Sequence, residues 1–331
     1  MNARQLLLKS LLAMAATGLV AGFNPASAQQ PFPSRPITLI VPAAAGGPTD
    51  AVGRMIGDSM STTLGQQVIV ENIGGAGGTI GMARVAKSAA DGYTVAVWHI
   101  AQSTAPSLYD NLRYNVIDDF DSIGRIADVP MTLVSKSDLA VKDAPALIAW
   151  MKEKQGAATY AHAGIGSASH LCALLLMSAT GTKMTAVSYR GTGPAMNDLI
   201  GKQFDMMCDQ TTGTTAQIKA GTIKGYAVTT PKRLKILPDL PTLDEAGIKG
   251  FEVAAWHAMW APKGLPADVA AKLNAALLTA LKDQKVIDRL AALGIEPVSA
   301  DKATPEALKS HLTIEVEKWG KVIKAAGAKG E

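Results

Sequence analysis

The sequence predicts an α/β protein with largely parallel sheets, divided into two lobes, and three observations carry that reading. The chain is 331 residues long, more than one average domain, so two lobes of about 100–150 residues each are expected. Short β-branched runs are followed repeatedly by a loop of small residues and then an amphipathic run, the strand–loop–helix pattern of a parallel sheet. Two long apolar stretches, Val129 to Ser135 and Phe251 to Trp260, lie between the two groups of units and read as strands crossing from lobe to lobe. A hydrophobic content of 48% supplies a large core, and an aromatic content of only 5% favours helices packed closely on sheets.

The first 28 residues stand apart from the fold. Arg4 and Lys9 precede an apolar stretch, Leu11 to Phe23, too short for a stable membrane span. Ala26-Ser27-Ala28 is an A-x-A cleavage site, so a signal peptide 1–28 and an exported mature chain are expected. The 32 Lys and Arg lose Arg4 and Lys9 with the signal, leaving 30 against 28 acidic residues, a net +2. That near-neutral balance gives no electrostatic case for nucleic acid. Lys232, Arg233 and Lys235 form the one local basic group, which reads as a solvated loop.

In chain order, Ile37 to Val41 is a β-branched strand ended by Pro42, which cannot donate to a ladder. Ala43 to Gly47 present little but backbone. Pro48 suits a first helical turn and Asp50 complements the positive helix end, so the loop aims free N–H groups outward, as an anion site would. An ordinary strand-to-helix connection would look the same. A helix follows from Thr49 to Leu64, closed by Gly65, then a strand at Val68 to Val70. The second glycine loop, Asn72 to Gly81, invites comparison with a dinucleotide fingerprint, but its Gly75-x-Gly77-x-x-x-Gly81 spacing is one residue too long, and no acidic residue ends the next strand to hold a ribose.

Tyr93 to Trp98 is a strand, and His99 to Ser107 opens a helical turn. Leu112 to Phe120 connects to strands at 122–127 and 129–135, and Pro145 to Lys154 is a helix. After the strand Thr159 to Ala161, the loop His162 to His170 repeats the first device, with Ser167 as N-cap of a helix reaching Ala179. Val187 to Tyr189, Phe204 to Cys208 and Gly225 to Thr229 are strands. The first is followed by Arg190 to Pro194 and a helix to Ile200, the second by Asp209 to Thr214 and a helix to Ala220. Residues 234–250 are loop-rich. Helices are expected at Pro266 to Leu281, Lys285 to Leu293 and Pro305 to Ala325, with a short strand at Glu296 to Val298.

Catalytic constellations are missing. There is no G-x-S-x-G elbow and no phosphate-binding G-x-x-x-x-G-K-[ST]. Ser167 and His170 share one helical turn, a poor geometry for nucleophile and base. His99, His162, His170, His257 and His311 show no zinc spacing. Cys172 and Cys208 in an exported chain are compatible with a disulfide or with two buried thiols. What remains is a set of hydroxyl-rich helix starts gathered beyond the carboxyl ends of strands, where α/β sheets bind ligands.

The motifs Pro33-Ser34-Arg35-Pro36 with the following strand, Gly46-Gly47-x-x-Asp50, Val70-Glu71-Asn72 and Asp91-Gly92-Tyr93-Thr94 resemble those of the Bug-type extracytoplasmic solute receptors. These are the substrate-binding proteins of tripartite tricarboxylate transporters. The likeness continues through Thr159-Tyr160-Ala161, Gly164-x-Gly166-Ser167-x-Ser169-His170-Leu171, Tyr189-Arg190-Gly191, Leu237 to Thr242, Glu245-Ala246-Gly247 and Trp319 to Ile323, covering essentially the whole mature chain. The resemblance implies a two-lobed, type II periplasmic-binding-protein fold with two crossing hinge strands. Lobe I would comprise 29–131 and 255–331, and lobe II 132–254. The function implied is capture of a small organic carboxylate by hinge closure, with no enzymatic activity and no cofactor or metal.

By the same resemblance, Ala44, Ala45, Gly46, Gly47, Thr49 and Asp50, with Gly164, Gly166, Ser167, Ala168, Ser169 and His170, would cradle one carboxylate with the help of ordered waters. Thr192, Gly193, Asp209 and Gln210 would meet the rest of the ligand. The implied partners are the large and small membrane subunits of a transporter, the receptor itself being a monomer. Two departures bear on the ligand. Ala43-Ala44-Ala45 stand where the family often has an aromatic and prolines, and Gln210 with Thr211, Thr212, Thr214 and Thr215 stands where it often has Asn after Asp. A hydroxylated wall favours a di- or tricarboxylate. The alanines also leave room for an aromatic carboxylate, on which Trp98, Trp256 or Trp260 could stack. A signalling receptor and, less well supported, an exported hydrolase are the competing functions.

Overall fold

The fold is that of a computed structural model that describes residues 31–326; the expected signal peptide lies outside them. Among the described residues, ten strands form two sheets that share one strand. The first sheet runs β2(Val68–Asn72), β1(Ile37–Val41), β3(Thr94–His99), β9(Ala254–Pro262), β4(Phe120–Lys136), with β10(Glu296–Pro297) also on β4. The second runs from β4 through β7(Met206–Gln210) and β5(Thr159–His162) to β6(Thr185–Ser188), with β8(Ile223–Val228) also on β4.

Each sheet is built from the expected units. In the first, Ile37, Leu39, Ile40 and Val41 are wholly buried beneath α1(Pro48–Leu64), which turns Val52, Met55, Ile56 and Met60 inward at helical spacing. Gly53 lets that helix lie close, since a Cβ there would stand 2.9 Å from the Val41 side chain. The helix ends at Gly65, with φ 65°. Next come α2(Thr79–Ala86) and α3(Ala101–Leu108), and the chain closes the first sheet with α8(Ala267–Lys282), α9(Gln284–Ala291) and α10(Pro305–Ala326). The second sheet carries α4(Ala144–Lys154), α5(Ala168–Thr180), α6(Thr192–Ile200) and α7(Thr211–Lys219). Cys172 on α5 and Cys208 on β7 form a disulfide, which decides between the two states compatible with the sequence.

The crossing elements differ from expectation in three ways. The strands expected at 122–127 and 129–135 are one strand of 17 residues. Phe120 to Pro130 pair with β9, and Met131 onward pair with β7. The change of partner falls at Pro130, a residue with no N–H to offer a ladder. Second, the return stretch 251–260 becomes strand only from Ala254 and lies in the first sheet. Ahead of it Val253 is tied instead to Thr229, whose hydroxyl donates to Val253 O at 2.6 Å and whose amide donates to Met131 O at 2.9 Å. Third, β1 with β2 and β3, and β5 with β6 and β7, are parallel, but every pair made by β4 or β9 is antiparallel, so the sheets are mixed. A strand that passes straight between the sheets enters with no helical crossover to reverse it.

Candidate functional site

The loops at the carboxyl ends of β1, β5 and β7 meet at one small cavity between the sheets. The first is set by Asp50. Its Oδ2 accepts from Gly46 N at 2.9 Å and Arg54 Nε at 3.0 Å, and its Oδ1 accepts from Asn72 Nδ2 at 3.0 Å. Asn72 also donates to Ala43 O at 3.1 Å, so Ala43 to Gly47 are held from behind. Gly46 at φ 78° needs the left-handed region open to glycine. Burial alone would raise the Asp50 pKa, but the bonds from Arg54, Gly46 and Asn72 outweigh it and keep the carboxyl below its ordinary value.

Three histidines brace the surrounding loops as neutral rings. The His257 Nδ1 lies 3.1 Å from Ala255 O and therefore carries the proton, so Nε2 accepts from the Thr49 hydroxyl at 3.1 Å. Burial pushes His257 down to about 4. His99, stacked on Trp98 at 3.9 Å, accepts from Ala101 N at Nδ1, which leaves its proton on Nε2; burial, with His257 beside it, keeps it neutral. His170 accepts from Gly166 N at 3.1 Å, and burial with His162 nearby pushes it down to about 3.

On the β5 loop, Ser169 Oγ accepts from Ala163 N at 3.0 Å, and Ser167 caps α5 by accepting from His170 N at 3.3 Å. Ser167 therefore meets the backbone of His170, and the ring of His170 faces Gly166 N instead. This is a cap, and it has no nucleophile–base pairing.

The β7 side is different in kind. Asp209 is 1% exposed, and neither carboxylate oxygen has a well-formed hydrogen bond to the protein. Burial pushes its pKa up to about 7; the nearby Gln210 amide and Thr192 hydroxyl pull the other way and lose. Gln210 Oε1 and the hydroxyls of Thr211, Thr212 and Thr215 are likewise buried without partners. Thr214 is satisfied, 2.6 Å from the Thr132 hydroxyl.

Of the residues expected at the site, Gly47, Thr49, Ser167, Ala168, Ser169, Thr192, Asp209 and Gln210 line the cavity. Ala44, Ala45, Gly46, Asp50, Gly164, Gly166, His170 and Gly193 stand behind it or at the contact between loops. Ala43, Pro48, Trp98, His99, Ala163 and Gly191 also line it; Ala43 was expected as wall and Trp98 as a stacking surface, and the other four were not expected there. His99 and Trp98 end β3, so the rule that ligands gather at strand carboxyl ends was a usable signal for them. Trp256 and Trp260 do not line the cavity: Trp256 donates to Glu315 at 3.2 Å and Trp260 is wholly buried.

Loops from the two sheets touch directly. Ala44 N donates to Arg190 O at 3.2 Å, Thr104 Oγ1 to Gly166 O at 2.9 Å and Tyr109 Oη to Ile165 O at 2.9 Å. A Cβ on Gly193 would stand 3.0 Å from Ala45 O. The cavity between them measures ≈ 20 Å³, room for about one water. No Lys or Arg is among its lining residues. The N-termini of α1, α5, α6 and α7 all open onto it through Pro48, Ala168, Thr192 and Gln210. Four positive helix ends can hold an anion where there is no cationic side chain. Among the described residues no group of His, Cys, Asp and Glu could hold a metal ion, and no helix is long and apolar enough to cross a membrane.

The family model described as the tripartite tricarboxylate transporter family receptor matches residues 52–328. The UPF0065 protein in the TAR-I ttuE-ttuC' intergenic region of Agrobacterium vitis is 54% identical over 302 residues, covering 91% of this chain and 87% of that protein. Among solved structures, the periplasmic binding protein BugD is 48% identical with a TM-score of 0.88, over 91% of this chain and all (100%) of that one. MatC of Rhodopseudomonas palustris, solved with malate bound, is 37% identical with a TM-score of 0.85, over 88% and 100%. Rpa4515 of R. palustris, solved with adipate, is 33% identical with a TM-score of 0.84, over 89% and 98%. The two-lobed architecture is that of periplasmic binding proteins, which are solute receptors and not enzymes. The chain belongs to the tripartite tricarboxylate transporter receptor family.

Proposed function

We propose that this protein captures a small organic di- or tricarboxylate in the periplasm, closes its two lobes around it, and delivers it to the large and small membrane subunits of a tripartite transporter. The observation that carries the reading is the convergence of four helix N-termini, from both sheets, on one cavity with no lining Lys or Arg. Malate in MatC and adipate in Rpa4515 support a dicarboxylate. A cavity of ≈ 20 Å³ is smaller than either acid, so entry requires the loops to part. The partner change of β4 between Pro130 and Met131 supports hinges between lobe I (29–131 and 255–331) and lobe II (132–254).

On this reading Gly47, Thr49, Ser167, Ala168 and Ser169 hold one carboxylate, and Thr192, Asp209 and Gln210 face the remainder. Asp50, Gly46 and His170 shape the loops. Export with cleavage after Ala28, and a monomeric receptor, complete the proposal. Trp98 in the cavity wall favours an aromatic carboxylate as the second reading.

A thermal-shift panel of aliphatic and aromatic carboxylates tests both. A ligand at 100 times its Kd stabilises the folded state by about 2.7 kcal/mol. If no carboxylate shifts the melt, the receptor reading is lost. Uptake in vesicles carrying the two membrane subunits, with and without this protein, tests delivery.

A further inference from the structure

Asp209 faces the cavity as an acid in a site proposed for an anion. It is buried, and both its oxygens lack well-formed hydrogen bonds to the protein. The groups packed around it offer no cation. On α1, Asp50 is bonded to Arg54 behind the loop. From β3 comes His99 and from β9 His257, both neutral; from β5 and α5 come His162 and His170, each accepting a backbone N–H at Nδ1. From β4, α6 and α7 come the uncharged Thr132, Thr192 and Gly213.

Charge counting then decides. Each helix N-terminus is worth roughly +0.5, so four supply about +2, enough for a dicarboxylate dianion. A third negative charge, on Asp209, would be uncompensated in a closed site, where like charges repel strongly.

We infer that Asp209 meets the ligand as the neutral acid, its hydroxyl donating to a ligand oxygen, so that capture of a dicarboxylate takes up one proton from solution. The inference rests on the carboxylate reading above and adds a pH-dependent specificity residue to it. Burial already pushes Asp209 up to about 7 without ligand, which puts the transition in the neutral range.

The test is titration calorimetry with malate and with adipate at pH 8, in phosphate and in Tris, whose different ionisation enthalpies report the protons exchanged. Close to one proton taken up is expected, with Kd rising about tenfold per pH unit above pH 7 through linkage. Both acids are fully ionised there, so the ligand contributes no slope. D209N, a neutral mimic, should bind about tenfold tighter than wild type at pH 8, with no proton uptake. Zero uptake by the wild type overturns the inference while leaving the carboxylate reading intact. Proton release overturns it in favour of a ligand bringing its own cation, and D209N with unchanged uptake overturns the assignment to Asp209. If neither acid nor any carboxylate of the thermal panel binds between pH 5 and 8, the carboxylate reading falls, and this inference with it. Should D209N fail to fold, the wild-type proton count decides alone.

Discussion

Asp209 lines the cavity and Asp50 lies behind its β1 loop, each where a strand gives way to a helix, and their surroundings are opposite. Asp50 accepts from a backbone amide, a guanidinium and a carboxamide, and its pKa is lowered. Asp209 has no good partner, and its pKa is raised to about 7. Hydrogen bonds exceed the desolvation cost at the first site and fall short of it at the second. One carboxylate therefore braces its loop, and the other is the one proposed above to meet a ligand. A satisfied buried acid positions its loop, whereas an unsatisfied one is a candidate contact.

The largest expected effect comes from the covalent brace beside Asp209. The Cys172–Cys208 disulfide closes a loop of sequence separation 36, for which removal costs roughly 3–4 kcal/mol of stability. Denaturant unfolding of C172A/C208A measures it, and a loss below about 1 kcal/mol would show that β7 and α5 hold together without the bridge.

Next is the hydrogen-bonded brace on the other side. D50A should cost about 1.5–3 kcal/mol, nearer the lower figure because Arg54 is half exposed, and should also weaken ligand binding. The pH dependences of the two acids have opposite signs. The depressed Asp50 contributes stability above its unfolded pKa of 3.8 that is lost as pH falls through its lower folded value. For Asp209 the native state binds the proton more tightly, so its favourable contribution is full below 3.8 and is lost as pH rises through about 7. D50N should flatten the acid limb of a stability–pH curve and D209N the limb between pH 4 and 8. If both substitutions flattened the same limb, the contrast would collapse.

G193A probes the contact between the loops. Its Cβ would meet Ala45 O at 3.0 Å, a contact that the proposed hinge opening would remove. Affinity should fall about tenfold, in line with about 1–3 kcal/mol for an added methylene in a tight contact, while the ligand-free melting temperature stays within a degree. An unchanged Kd would mean that these loops need not meet. Smallest is S167A, worth about 1 kcal/mol of helix stability from the lost cap, with a few-fold loss of affinity. Calorimetry and thermal melts read the two parts separately.

Local pattern was enough for the strands and helices flanking the site. Ile37 to Val41, the helix after Pro48 with its Gly65 stop, and Ser167 as an N-cap all depend on near neighbours in the chain. The crossing strands were less legible. The break expected between 127 and 129 is absent because β9 and then β7 pair straight through it. The start of β9 is shortened because Thr229, distant in sequence, takes the bonds of Val253. At the site, loop positions were readable from their small residues and prolines, but lining and bracing residues were not separable. Asp50 and His170, expected at the ligand, accept from the backbone amides of Gly46 and Gly166, bonds that only the folded loops bring together.

By itself the sequence determined the repeated strand–loop–helix units, the backbone-rich helix starts and the family, because period, capping and motif are properties of short stretches. Only the tertiary structure decided the mixed sheets, the disulfide, the crossing strand and the contrasting surroundings of the two aspartates. Each of these depends on what a distant segment places beside a residue, and for a buried carboxylate that neighbour decides whether its charge is compensated.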